Sequence, residues 1–116
     1  MAKKAASVVA AESPESLVSA QHVVPEIADQ PHMPKAVVAW LEDRLRDTQC
    51  FLEYGSGGST RLAASLNVPK IVSVESDAAY IEGVREALAA LETKSACVVI
   101  HADLGETQNW GYPRDF

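Results

Sequence analysis

Hydrophobic positions organise the chain from Pro34 onward. Val37, Val38, Leu41 and Leu45 recur at the spacing of one helical face. Pro34 suits the first turn of that helix, where its missing N–H needs no partner. Glu42 and Arg46 add an i,i+4 pair on the wet side. Cys50-Phe-Leu-Glu-Tyr54 then reads as a short strand that stops at the glycine-rich stretch Gly55-Ser-Gly-Gly-Ser-Thr60. A helical pattern resumes over residues 60–66 and ends at Asn67-Val-Pro69. Lys70 to Glu75 is rich in β-branched residues and predicts a second strand. Ser76 is the expected N-cap of the next helix, with Asp77 in its first turn. Ile81, Val84, Leu88 and Leu91 mark one face of that helix, which runs to about Glu92. Gly83 inside it costs about 1 kcal/mol relative to alanine. A third strand, Ala96 to Ala102, ends at Asp103-Leu-Gly105.

Strand, helix, strand, helix, strand is a βαβαβ unit, and right-handed crossovers place its strands in one parallel sheet. The expectation is an α/β, Rossmann-like three-layer unit with strand order 3-2-1, occupying residues 34–116. The chain ends at Phe116, shortly after the third strand, so the unit reads as truncated there. In that order the first strand is an open apolar edge, which invites cover by residues 1–33, by self-association or by a second chain.

Composition changes near residue 35. Pro14, Pro25, Pro31 and Pro34 lie at or before residue 34, whereas every aromatic residue lies at Trp40 or later and every glycine at Gly55 or later. A proline-broken segment without aromatics buries too little apolar surface to offset its ordering entropy. Residues 1–33 are therefore expected to be a flexible arm with a transient helix near residues 15–20. The formal charge of -6, from 16 acidic and 10 basic residues, argues against a nucleic-acid surface. No apolar run approaches the roughly 20 residues needed to span a bilayer. The start, Met1-Ala-Lys-Lys, precedes a short Ala-rich stretch that runs into Glu12 and Glu15, which departs from a secretory signal. Cys50 and Cys97 form no disulfide framework and have no metal-ligand spacing. A cytoplasmic protein without a bound metal is the expectation.

Three features stand at the carboxyl ends of the three strands, where open α/β sheets bind ligands. Glu53-Tyr-Gly55-Ser-Gly57-Gly58-Ser59 supplies residues without Cβ between a strand and a helix start. Such a turn also occurs where a chain merely changes direction. Glu75 ends the second strand 20 residues after Gly55, the spacing at which an acidic residue takes the ribose hydroxyls in dinucleotide folds. Asp103 follows the third strand and either meets an adenine amino group or makes an Asx-type bond before Gly105.

These residues resemble a family. Glu53-x-Gly55-x-Gly57-x-Ser59, Ile71-Val-Ser-Val-Glu75-Ser-Asp77 and His101-Ala-Asp103-Leu-Gly105 look like the first, cofactor-binding half of a class I S-adenosylmethionine-dependent methyltransferase of a bacterial branch. The likeness covers residues 35–116, with Ser59 where the family's acidic-x-Gly-x-Gly-x-Gly motif has its last glycine. It implies that Glu53 sits near the methionine end of the cofactor and that Gly55 and Gly57 line it. It implies Glu75 at the ribose and Asp103 near the adenine, and it brings in the neighbours Tyr54, Ser56, Ser59, Ser76 and Leu104. It implies a methyl acceptor, which the sequence does not identify, and it names no catalytic residue.

Charge separates this from a nicotinamide dinucleotide site. A pyrophosphate at the turn would face repulsion from Glu53, whereas S-adenosylmethionine has no phosphate and carries a sulfonium and an ammonium. The other reading is a non-catalytic adenosyl-binding or partner-binding module, including a remnant. His22 and His32 lie in the arm, His101 near a strand end is a weak candidate base, and Trp110-Gly-Tyr112 reads as packing on the sheet edge. Cys50 and Cys97 are expected as small buried hydrophobes on separate strands.

Overall fold

A computed structural model describes residues 23–109 and 112–114 of the chain. The element order is α1 (Lys35–Leu45), β1 (Cys50–Tyr54), α2 (Gly58–Ser65), β2 (Lys70–Glu75), α3 (Ala78–Ala90) and β3 (Ala96–His101). The strands form one parallel sheet in the order β1-β2-β3, the expected order read from its other side. Register pairs Glu53 with Ser73 and Glu75 with His101, so the strand ends form one common edge.

Alternation sorts the strand residues into two faces. Phe51, Ile71 and Cys97 face the helices and join Val38, Leu45, Leu62, Ala63, Ala64 and Val68 in one core cluster. Ile71, in the central strand, is fully buried. The opposite face carries Leu52, Tyr54, Val98 and Ile100, which are exposed, with Val72 and Val74 partly covered. All described helices lie on the core face, so the described residues make two layers; the expected third layer has no element among them. Cys50 falls on the open side and is exposed, against the expectation of a buried thiol, because its position in the alternation points it away from the helices.

Local signals account for the boundaries. Pro34 is the residue before α1 rather than its first residue, and its carbonyl accepts from Val37 and Val38. Val37 is exposed, so the buried stripe narrows to Val38 and Leu45 with Leu41 at its margin. The Glu42–Arg46 pair is present at 3.9 Å. The N-cap of α3 is Asp77, not Ser76: its Oδ1 accepts from the amides of Ala79 at 3.0 Å and Tyr80 at 3.3 Å. Both residue types can cap, and Asp77 takes the role because Ser76 still continues the turn out of β2.

Part of the expected arm is packed on the body. Ile27 is buried at 5% exposure, and the Ile27 carbonyl accepts from Nη1 of Arg61 on α2 at 2.5 Å. The buried Ile27 side chain and its carbonyl hold this stretch against the body, which composition alone did not signal. The helix expected near residues 15–20 lies outside the described residues.

Candidate functional site

The parallel arrangement sends three loops off the same end of the sheet: the turn after β1, the Glu75–Asp77 corner after β2 and Ala102–Gly105 after β3. Gly55 sits at φ +95°, a conformation that a residue with a Cβ adopts only under strain. This is what lets the chain leave β1 and enter α2 within a few residues. Gly57 is buried, and a Cβ there would stand 3.7 Å from the Tyr80 ring, which brings an aromatic side chain from the first turn of α3 against the turn. Sequence reading missed Tyr80. The available signal was an aromatic immediately after a helix cap at a strand end.

Every amide at the head of the turn has an internal acceptor. Gly55 donates to the Val74 carbonyl at 2.6 Å, Ser56 to Oε1 of Glu75 at 2.6 Å, and Gly57 to the Thr60 hydroxyl at 3.0 Å. A phosphate cradle needs such N–H groups aimed at the ligand. Here they bind the turn to β2 and to the start of α2 instead.

Two carboxylates stand beneath the turn. Glu53 is half-buried and collects three hydroxyls: Ser59 Oγ to Oε1 at 2.5 Å, Thr60 Oγ1 to Oε2, and Ser73 Oγ to Oε2 at 2.8 Å. Ser59, where the family's motif has glycine, therefore uses its side chain to hold the carboxylate. Ser73 is fully buried, and its oxygen lies 2.6 Å from that of Ser56. A serine has one hydroxyl proton. With that of Ser73 given to Glu53, the Ser56 proton must point at Ser73, and a chain of donors runs Ser56 to Ser73 to Glu53.

Glu75 is 7% exposed and accepts three amides, from Ser56, from Ser76 at 3.1 Å and from Asp77 at 3.0 Å. Multiple charge-assisted bonds of this kind compensate a buried carboxylate for lost water. A carboxylate has about four acceptor positions. Three are occupied, leaving one open on Oε1 rather than the pair a ribose diol would take. His101 places Nε2 3.3 Å from the Ser76 carbonyl, which ties the end of β3 to the same corner. Asp103 accepts from Gly105 at 3.0 Å, so the Asx-type turn is formed, with Gly105 at φ +82°. Leu104 and Tyr54 are exposed beside these loops, at 52% and 81%. Among the described residues no group of three or more His, Cys, Asp or Glu side chains is arranged to hold a metal.

A parallel α/β unit with three loops gathered at its strand ends, the end at which open α/β sheets take ligands, is what this arrangement defines. Among solved structures, the chain is similar to a methyltransferase-like protein from Silicibacter pomeroyi DSS-3, at 35% identity and a TM-score of 0.69. The match covers 75% of this chain and 47% of that one, so this chain spans about half the length of its neighbour. The likeness supports a methyltransferase fold. No protein-family model matches the sequence, and no curated protein does. No helix among the described residues is long and apolar enough to cross a membrane.

Proposed function

We propose that the chain binds S-adenosylmethionine as the cofactor-binding half of a class I methyltransferase acting in the cytoplasm. The observation that carries this reading is the inward use of the Gly55, Ser56 and Gly57 amides above the Glu53 carboxylate. That turn offers a poor seat for a pyrophosphate and a favourable one for a ligand whose methionine end is cationic. Glu53, held by Ser59, Thr60 and Ser73, supplies the negative charge, and Gly55 and Gly57 allow close approach. Glu75 offers its remaining acceptor position to a ribose hydroxyl. Asp103 keeps Oδ2 for the adenine amino group while Oδ1 holds Gly105, and Leu104 and Tyr80 offer apolar surface for the ring. When bound, the cofactor supplies a sulfonium methyl group for in-line displacement, and the contribution of these residues is alignment. The acceptor belongs to the same proposal as a class only: a nucleophile presented to the methyl group from outside the residues described.

Calorimetry tests the assignment. Saturable binding of S-adenosylmethionine and S-adenosylhomocysteine without binding of NAD is the expected result. A folded sample that binds none of the three overturns it, and preference for NAD would return the turn to the dinucleotide class.

A further inference from the structure

Two glycines make room for residues 25–31. Gly58 opens α2, and a Cβ on it would overlap the Gln30 carbonyl and crowd the Pro31 nitrogen, at 2.9 Å. Gly83 lies in the middle of α3, and a Cβ there would stand 2.5 Å from the Pro25 carbonyl and 3.3 Å from Cδ1 of Ile27. Between them Arg61 holds the Ile27 carbonyl, and the Ile27 side chain is buried. The backbone of residues 25–31 thus crosses α3 at Gly83 and α2 at Arg61, and ends against Gly58. Gly58 directly follows the turn whose amides meet Glu75 and Thr60. A helix-interior glycine is unfavourable by about 1 kcal/mol, so its presence where the strap crosses α3 has a packing cause.

We infer that residues 25–31 are a positioning strap for the ligand turn: seated across Gly83, Arg61 and Gly58, they fix the start of α2 and with it the Gly55–Ser59 turn. Seating of the strap and occupation of the turn are then linked equilibria, and each favours the other by the same factor. The identity of the ligand rests on the function proposed above; the coupling between strap and turn does not.

Gly83→Ala tests it away from the ligand turn. Alanine raises the intrinsic stability of α3 while its Cβ displaces Pro25, so the body stays folded as the strap is released. Nuclear magnetic resonance reads the strap through the Ile27 methyl contact with residue 83, and the turn through hydrogen exchange of the Ser56 and Gly57 amides. The variant should lose the first and exchange faster at the second by about fivefold or more, with exchange in β2 unchanged. S-adenosylhomocysteine should bind it about fivefold more weakly. Ile27→Ser, which removes the buried apolar side chain that seats the strap, should reproduce the effect on the turn. Release of the strap with unchanged exchange at Ser56 and Gly57 overturns the inference, as does absence of the Ile27–Gly83 contact in the wild-type chain. If the wild type binds no S-adenosylhomocysteine while the turn still responds to Gly83→Ala, the strap stands and the cofactor assignment falls.

Discussion

The backbone amide of Ser56 donates to Oε1 of Glu75 at 2.6 Å, fastening the glycine turn after β1 to the end of β2 across 19 residues of sequence. Through its hydroxyl, 2.6 Å from that of Ser73, the same serine is also linked to Glu53. One residue of the turn is therefore bonded to Glu75 directly and to Glu53 through Ser73.

Glu75 is consequently a brace as well as a candidate ribose ligand. Glu75→Ala removes the acceptor of three amides and should lower stability by about 3 kcal/mol, the upper range for bonds to a charged group. Glu75→Gln retains one carbonyl acceptor and should lose less. Urea unfolding at neutral pH measures both. In whatever fraction stays folded, Glu75→Ala should also weaken S-adenosylmethionine binding by about 1.5 to 3 kcal/mol. An affinity equal to that of the wild type would remove Glu75 from the site.

Ser73→Ala should cost about 1 to 2 kcal/mol, because it leaves the buried Ser56 hydroxyl without an acceptor and Glu53 with one fewer donor. An unchanged urea midpoint would show that the donor chain from Ser56 to Glu53 does not contribute to stability.

Asp77 caps α3 with two amides, so Asp77→Ala should destabilise the chain by about 1 kcal/mol and Asp77→Ser by less. A urea midpoint unchanged in Asp77→Ala would contradict the assignment of Asp77 as the cap.

The two faces of the sheet predict opposite sensitivities. Ile71, with no exposed surface, should cost about 2 to 5 kcal/mol when truncated to alanine. Leu52, 56% exposed on the open face, should tolerate serine within about 1 kcal/mol, the span of strand preferences. Chemical denaturation of the two variants decides whether the core lies on one side only.

The two thiols should separate by reactivity. Burial raises the Cys97 thiol above its ordinary value of 9.0, whereas Cys50 is exposed. Iodoacetamide at pH 8 should therefore modify Cys50 first. The raised value also carries a sign for stability. The folded state favours the neutral thiol, so the contribution of Cys97 is complete below its unfolded pKa and is lost as pH rises through its folded pKa. Cys97→Ala should flatten the loss of stability on the alkaline side of pH 9; an unchanged slope would assign that loss to other groups.

Much of this architecture was present in local pattern. β-branched runs at Lys70–Glu75 and Ala96–His101, the periodic apolar positions of α3 and the glycine turn between β1 and α2 each depend on a short stretch of chain. Crossover handedness then leaves few ways to arrange three parallel strands. The candidate loops were legible for the same reason: a parallel sheet delivers all its strand ends to one edge.

Tertiary structure decided what those residues do there. Whether Ser76 or Asp77 caps α3 depends on where β2 releases the chain. Whether turn amides face a ligand or the protein depends on Glu75 and Thr60, acceptors brought beneath them by folding. Asp103 could serve either reading until Gly105 took one of its oxygens. Gly83 looked like a weak point in a helix until the Pro25 backbone was found where a Cβ would stand. The sequence by itself determined the strands, their order and the edge that carries the site, because periodicity and chain connectivity are one-dimensional properties. Which face is covered, which hydrogen-bonding groups remain for a ligand and where the 25–31 segment lies were decided only by the tertiary structure, because each depends on contacts between residues far apart along the chain.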